Sequence, residues 1–136
     1  MKRFTQLALS LLTLAAGNQA FAQQGLWLTQ NGNLEVDIAP CGDALCGTVV
    51  KVLANRAMSG GPSTGFKDTR SPLGMKLLQD FRSDDGKEWK GRIYNREDGE
   101  TYDCILSLAV TGELNVRGYK GMRLFGKTHT WTRVAK

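Results

Sequence analysis

The sequence predicts an all-β protein in which eight antiparallel strands close into an up-and-down barrel. Short stretches of alternating apolar and polar residues are separated by turn residues at nearly even spacing. No stretch after the N-terminal segment keeps a helical period. Such a meander must protect its two edge strands, and closure into a barrel removes both. A two-sheet sandwich is the alternative fold.

Residues 1–22 have the composition of a secretory signal peptide. A short basic start precedes an apolar run at 7–16, and Ala20 and Ala22 provide the small residues of a cleavage site. The run is shorter than the roughly 20 residues that span a bilayer, so we expect no integral membrane segment in the mature chain. These features predict a periplasmic or secreted protein whose residues 23–136 form a single domain.

The charge balance gives little support to nucleic-acid binding. The chain has 18 Lys and Arg against 13 Asp and Glu. Loss of Lys2 and Arg3 with the signal peptide leaves 16 basic residues, a net charge of +3. These charges are interspersed, whereas nucleic-acid-binding domains cluster them on one face.

Three cysteines have different expected roles. Cys41 and Cys46 bracket four residues that read as a hairpin end, and in an oxidising compartment we expect them to form a disulfide. The alternative is metal binding, for which the spacing and the lack of a nearby His are unfavourable, so no metal is expected. Cys104 is expected to be a small buried apolar residue, with a reactive thiol as the alternative.

The first four predicted strands lie in the N-terminal half. Strand 25–29 is followed by a turn at 31–33, and strand 34–38 alternates strictly, as a half-buried strand does. Strand 47–53 is rich in β-branched residues. The fourth strand, 75–81, has a short helix as its alternative. Its predicted inner face consists of Met75, Leu77, Gln79 and Phe81.

Four further strands complete the barrel. Strand 89–94 is joined to strand 101–110 by a segment containing Asp98-Gly99, a favoured tight-turn pair. Strand 114–119 follows a turn at 111–112, and the last strand is predicted at 124–134.

A long connection at 55–74 interrupts this regular pattern. It is rich in glycine and proline, and connections of this length in a compact domain are usually functional or disordered. Asp68 is expected to order the connection through an internal ion pair with Arg70 or Lys67, with ligand contact by Asp68 and Arg70 as the alternative. The glycine-rich part lacks the ending of a phosphate-binding loop.

The first and last strands carry residues that suit barrel closure. Gly25 and Trp27 lie on the first strand and Arg133 on the last, and these strands are neighbours in a closed barrel. Arg133 can then stack over Trp27 and seal one end. The pair resembles the Gly-x-Trp and terminal-Arg signature of lipocalins.

A wider set of residues resembles the exported bacterial family catalogued as domain of unknown function 2147. It comprises Gly25-Leu26-Trp27, Cys41-Gly42 with Leu45-Cys46-Gly47, Asp68 with Ser71-Pro72-Leu73-Gly74, Trp89, Gly91, Tyr94, Asp98-Gly99 with Thr101-Tyr102, Leu114 with Val116-Arg117-Gly118-Tyr119, and Thr130-Trp131 with Arg133-Val134. The resemblance implies a lipocalin-like or calycin-like barrel outside the cytoplasm and no established reaction. The chain departs from the family at Asn95-Arg96, where Asp-Pro is frequent, and at Ser71, where Asn is frequent.

The expected function is non-enzymatic binding of a small apolar or amphipathic ligand inside the barrel. No cofactor is expected. One alternative is a filled barrel that docks an envelope protein partner. An enzyme using Asp68, Arg70, Tyr102 or His129 ranks last, and His129 is expected at the surface or the barrel mouth. The candidate wall residues, to which Asp68 and Arg70 are added as ligand contacts, are Trp27, Met75, Phe81, Trp89, Tyr102 and Trp131.

Overall fold

The sheet closes on itself. In a computed structural model that describes residues 21–54 and 65–135, each strand pairs antiparallel with the next in sequence, and the eighth pairs with the first. The strands are β1 (Gly25–Leu28), β2 (Leu34–Cys41), β3 (Ala44–Val52), β4 (Lys76–Arg82), β5 (Glu88–Asn95), β6 (Glu100–Leu108), β7 (Leu114–Tyr119) and β8 (Lys127–Arg133). The predicted closed eight-stranded barrel is therefore confirmed.

Two predicted segments fall mostly or partly outside the described residues. Of the predicted signal peptide, only Phe21 and Ala22 are described, and of the long connection, only 65–74. In the part of the chain that the structure describes, no helix has the length and hydrophobicity needed to cross a membrane.

Several strand boundaries differ from the prediction, including the start of β3 at Ala44 rather than 47 and the end of β6 at Leu108 rather than 110. β2 continues through Pro40, which pairs with Leu45 near the end of the hairpin. Pro40 is exposed there, and strands accept proline at such irregular or terminal positions. β8 begins at Lys127 rather than at residue 124, because Arg123–Phe125 form a 3-10 helix.

The predicted alternation along β4 is wrong in its second half. Leu77 and Leu78 are both buried, although they are consecutive. The register with β5 shifts between Gln79 and Arg82, and Asp80 between them has φ of 57°. Asp is among the few non-glycine residues that adopt this left-handed conformation. The resulting bulge turns Phe81 back into the core and leaves Gln79 half-buried.

The antiparallel order gives the barrel two ends of different character. The lower end holds the residues before β1 and the β2–β3, β4–β5 and β6–β7 turns. The upper end holds the four other connections, including the long one between β3 and β4. The predicted Cys41–Cys46 disulfide is present and clamps the β2–β3 hairpin at the lower end.

The lower half of the barrel is filled by side chains. Its largest fully buried members are Trp27, Trp131, Phe81 and Leu106. The core extends upwards on the side of β2, β3 and β4 through Leu34, Val36, Val49, Leu77 and Leu78. Among the described residues, the inner surface of the upper half is therefore left open towards β5, β6, β7 and β8.

The predicted stacking of Arg133 on Trp27 is present at the lower end. The guanidinium carbon of Arg133 lies 4.2 Å from the centroid of the Trp27 ring, and its nitrogens donate to the carbonyl oxygens of Gln24 (2.9 Å) and Ala22 (2.5 Å). Gly25 has φ of 120°, and a Cβ there would lie 2.8 Å from Arg133. In the Gly-x-Trp pattern, Trp27 therefore supplies the ring on which Arg133 stacks, and Gly25 leaves space for the guanidinium.

Gly91 and Gly118 both lie on strands, and they give a matched test of packing in the two halves. A methyl group on Gly91 would lie 2.5 Å from the carbonyl oxygen of Gln79 and 2.7 Å from the ring of Phe81. A methyl group on Gly118 would meet its nearest atom, on Ile93, at 3.5 Å. We expect Gly91→Ala to lower the free energy of unfolding by about 1–3 kcal/mol through overpacking. Gly118→Ala should change it by less than about 1 kcal/mol.

Urea unfolding followed by tryptophan fluorescence measures both values. Equal losses in the two variants would contradict the difference in packing between the lower and upper halves.

Candidate functional site

A cavity of about 490 Å³ occupies the upper end of the barrel between β5, β6, β7 and β8. Apolar and aromatic side chains form much of its wall, including Ile93, Tyr102, Val116 and Phe125. Gly118 also lines it and contributes no side chain, which leaves this part of the interior unfilled. The cavity is thus an extension of the core that side chains do not fill.

The inner face of β8 changes from charged to apolar along its length. Lys127 and His129 line the cavity, and Trp131, the next residue on the same face, is fully buried in the core below. Lys127 is exposed and has no acidic partner among the described residues. The mouth of the cavity therefore carries the cation of Lys127 and the carboxylate of Glu97 above a largely apolar interior.

His129 is half-buried in the cavity wall. The sequence predicts a position at the surface or at the barrel mouth. Its Nδ1 is buried and has no hydrogen-bond partner within 21–54 and 65–135. Burial lowers the pKa of His129 below its ordinary value of 6.5, and the charge of Lys127 adds to this effect, while Glu97 opposes it. The imidazole is therefore largely uncharged at pH 7, and its unpaired Nδ1 lies within the wall rather than on the open surface of the cavity.

Tyr102 supplies an aromatic surface to the cavity, with its hydroxyl already engaged. The hydroxyl donates to Oδ2 of Asp98, and this bond raises the pKa of Tyr102 to about 12. Lys120 lies over the ring, with Nζ 4.7 Å from the centroid, and forms an ion pair with Glu100. Tyr102 therefore acts as a wall residue rather than as a proton donor.

Asp68 lies beside the cavity and organises the end of the long connection. Its carboxylate accepts hydrogen bonds from the backbone N–H of Arg70 (3.1 Å), from two guanidinium nitrogens of Arg70 (3.0 and 2.6 Å) and from the hydroxyl of Tyr94 (2.6 Å). These bonds, those of Arg70 first, hold the pKa of Asp68 well below its ordinary range. The predicted ion pair with Arg70 is confirmed. Because Tyr94 lines the cavity, it links Asp68 to the cavity wall.

The backbone of the connection docks on the β5–β6 turn. The N–H groups of Lys67 and Asp68 donate to the carbonyl oxygens of Glu97 and Arg96, each at 3.1 Å. The guanidinium of Arg96 is buried under the ring of Phe66, at 5.2 Å from its centroid. This part of the long connection therefore packs against the β5–β6 turn, which lies next to the cavity.

Most of the predicted wall residues lie elsewhere. Tyr102 is the one predicted wall residue that lines the cavity. Those packed in the core below or beside it are Trp27, Phe81, Trp89 and Trp131, with Met75 half-buried against the same core. The prediction is corrected at these positions. The physical reason is that large aromatic side chains fill the half of the barrel to which they point, leaving no room for a ligand.

The prediction missed Ile93, Tyr94, Val116, Phe125 and Lys127 as wall residues. Lys127 could have been predicted, because it shares its strand face with His129 and Trp131. A change from charged to titratable to apolar residues along one inner face indicates a passage from the barrel mouth to the core. Phe125 carried no such signal, because its position depends on the 3-10 helix before β8.

Cys104 is a candidate for a thiol site, and the described acidic residues are candidates for a metal site. Cys104 is buried, and burial raises the pKa of its thiol to about 12, as expected for an inert apolar cysteine. Among the described residues, no three His, Cys, Asp or Glu side chains lie close enough together to hold a metal ion.

Comparisons with known proteins agree with this architecture. The sequence model of a family described as an uncharacterized protein conserved in bacteria, DUF2147, matches residues 25–133. The fold is similar to that of protein HP1028 from the human pathogen Helicobacter pylori, described as belonging to the lipocalin family, with a TM-score of 0.64, 22% sequence identity and coverage of 82% of each chain. No protein with a curated description matches the sequence.

The charge of Asp68 should make stability depend on pH. Because its pKa in the folded protein lies below the ordinary 3.8, its contribution is present above that value and is lost as the pH falls through the folded pKa. We expect Asp68→Asn to lower the urea concentration at half-unfolding at pH 7, and we expect a smaller difference from the wild type at pH 3. Tyr94→Phe removes one of the four hydrogen bonds to Asp68 and should lower the unfolding midpoint at pH 7 by a smaller amount. Asp43→Asn, at an exposed turn position, is the control.

His129 is the only histidine, so its titration can be read directly from one-dimensional NMR. We expect a midpoint below 6.5. Lys127→Gln should raise the midpoint by removing a nearby positive charge, and Glu97→Gln should lower it. Lys90→Gln, an exposed change on β5, should leave it unaltered. A wild-type midpoint at or above 6.5 would contradict the buried position of the ring.

Proposed function

The chain belongs to the DUF2147 family of uncharacterized bacterial proteins, and on this premise we propose that it binds a small amphipathic ligand in the upper end of the barrel. The observation that carries the proposal is the cavity of about 490 Å³. Ligand sites in proteins typically have volumes of roughly 300–1,000 Å³ and combine apolar walls with a few polar groups. The cavity has both properties.

The fold supports the same function. Barrels of eight strands either fill their interior with side chains or hold one small ligand, as lipocalins do. This barrel is filled in its lower half and open above Trp131 and Val116. A ligand would therefore rest on the top of the packed core and extend to the mouth.

The distribution of polarity in the cavity indicates how the ligand would lie. Ile93, Val116 and Phe125 favour an apolar body. Lys127 favours a negatively charged group on its own side of the mouth, because it has no acidic partner in the described ranges, while Glu97 also lines the cavity. The ligand class that fits is an anion with an apolar body, oriented with its charge towards solvent.

The imidazole of His129 provides a further contact. The ring lines the cavity at the level between Lys127 and the packed core, and its lowered pKa makes it a largely uncharged surface at pH 7. Its Nδ1 is buried within the wall, so a ligand would contact the ring rather than this atom.

We place this activity outside the cytoplasm. The composition of residues 1–22 supports export, and a Cys41–Cys46 disulfide persists in oxidising compartments.

A pair of related fluorescent probes tests the proposal. The anionic 1-anilinonaphthalene-8-sulfonate and the neutral N-phenyl-1-naphthylamine share one apolar body and differ by the sulfonate. We expect both to bind the folded protein. Gly118→Val should weaken both by about tenfold or more, because the added side chain fills the cavity.

The charge at the mouth should distinguish the two probes. Lys127→Gln should weaken the anionic probe about fivefold, the effect of one partly exposed ion pair, and should leave the neutral probe unchanged. Lys90→Gln is the matched control. If a folded Gly118→Val variant bound each probe as tightly as the wild type does, the cavity would not be the binding site.

A further inference from the structure

The connection between β7 and β8, residues 120–126, exposes an unusual share of apolar surface. We call it the rim loop. Met122, Leu124 and Phe125 are 62%, 76% and 76% exposed. Single exposed apolar residues are normal on protein surfaces, but three within four consecutive positions form a local concentration.

The exposure of these side chains is imposed by a well-bonded backbone. The guanidinium of Arg117 donates to the carbonyl oxygen of Arg123 (3.0 and 3.2 Å), to that of Leu124 (3.3 Å) and to Oγ1 of Thr128 (2.8 Å). Within the 3-10 helix, the N–H of Phe125 donates to the carbonyl oxygen of Met122 (3.1 Å). The rim loop therefore holds its apolar side chains in solvent while its carbonyl groups are bonded.

The rim loop and the strands that flank it in the sequence are basic, whereas the neighbouring β5–β6 turn carries Glu97 and Asp98. From Leu114 to the C-terminus the sequence contains no Asp or Glu, and around the loop it contains Arg117, Lys120, Arg123 and Lys127. Two of these bases pair across the surface, Lys120 with Glu100 and Arg123 with Glu88. Exposed pairs of this kind are weak, so an anionic surface can compete for the bases.

Apolar side chains flanked by Lys and Arg are the features by which peripheral proteins bind the surface of an anionic bilayer. The same basic charge disfavours a second copy of this chain as the occupant, because two rim loops would repel each other. The combination of charge and exposed hydrophobicity thus favours a lipid surface.

The rim loop also borders the mouth of the cavity. Phe125 is exposed and lines the cavity at the same time, and Lys120 and Lys127 line it as well. We propose that the rim loop docks the barrel on an anionic lipid bilayer with the mouth against the membrane surface, so that an amphipathic ligand passes between bilayer and cavity. The passage of ligand rests on the function proposed above, whereas docking on the bilayer does not.

Vesicle flotation tests the docking. The wild type should float with vesicles that contain phosphatidylglycerol and remain unbound with vesicles of phosphatidylcholine alone. The double variant Met122→Ser/Leu124→Ser should bind the anionic vesicles more weakly by a factor of about ten or more. It loses the two apolar side chains of the rim loop that lie outside the cavity. Val110→Ser removes a fully exposed apolar side chain at the lower end and is the matched control, with unchanged binding expected.

The basic residues give an independent arm. Lys120→Gln, at the mouth of the cavity, should reduce partition to the anionic vesicles about fivefold, the effect of one Lys or Arg near an anionic surface, whereas Lys90→Gln on the outer face of β5 should not. Raising the salt concentration should weaken the binding of the wild type.

Probe binding without vesicles separates this proposal from the previous one. The Met122→Ser/Leu124→Ser variant should bind N-phenyl-1-naphthylamine like the wild type, which also shows that it is folded. A wild type that binds the probe and does not float with anionic vesicles overturns the docking proposal and leaves ligand binding intact. Flotation that the double variant retains in full also overturns it. The docking proposal is also overturned if the rim loop mediates self-association or binds an envelope protein while the protein does not bind vesicles.

Discussion

The barrel depends on a short seam between its first and last strands. β1 has four residues, and its register with β8 joins Trp27 to Arg133 and Leu28 to Thr132. So few ladder bonds close a sheet weakly, and the additional contacts of Arg133 compensate for this. Its guanidinium covers the ring of Trp27 and bonds two carbonyl oxygens of the segment before β1. Electrostatic attraction, hydrogen bonding and packing thus act at the point where the sheet would otherwise have two edges.

Closure at one end allows the opposite end to stay hollow. Below, Phe81 packs against Gly91 so tightly that no Cβ fits, and Trp131 extends the filled region across the barrel. Above, Gly118 leaves its space unoccupied. The contacts of Arg133 and the largest buried aromatic side chains therefore lie in the lower half, away from the cavity. A cavity can exist without being the weakest part of the fold, because stability and the binding surface are supplied by different residues.

The sequence allowed the fold to be predicted more completely than the site. Alternation with period two and turn residues such as Asn31-Gly32 depend on neighbours along the chain, so β7 and most other strands could be located. The bulge at Asp80 could not, because a left-handed residue inside a strand has no sequence signature. The cavity depends on how far each inner side chain reaches across the barrel. Trp27, Phe81, Trp89 and Trp131 have the composition of a binding wall, and their size makes them the packed core.

The separation of the connections into two sets has a consequence for how such a barrel can diversify. The disulfide-clamped β2–β3 hairpin lies at the lower end, while the β7–β8 loop, the β5–β6 turn and the long connection lie at the upper end with the mouth. Substitutions or insertions at the upper end alter ligand selectivity and surface preference without touching the seam or the packed half. One rigid base can therefore support a range of specificities, a physical form of evolvability that follows from placing the cavity beneath the connections of the upper end.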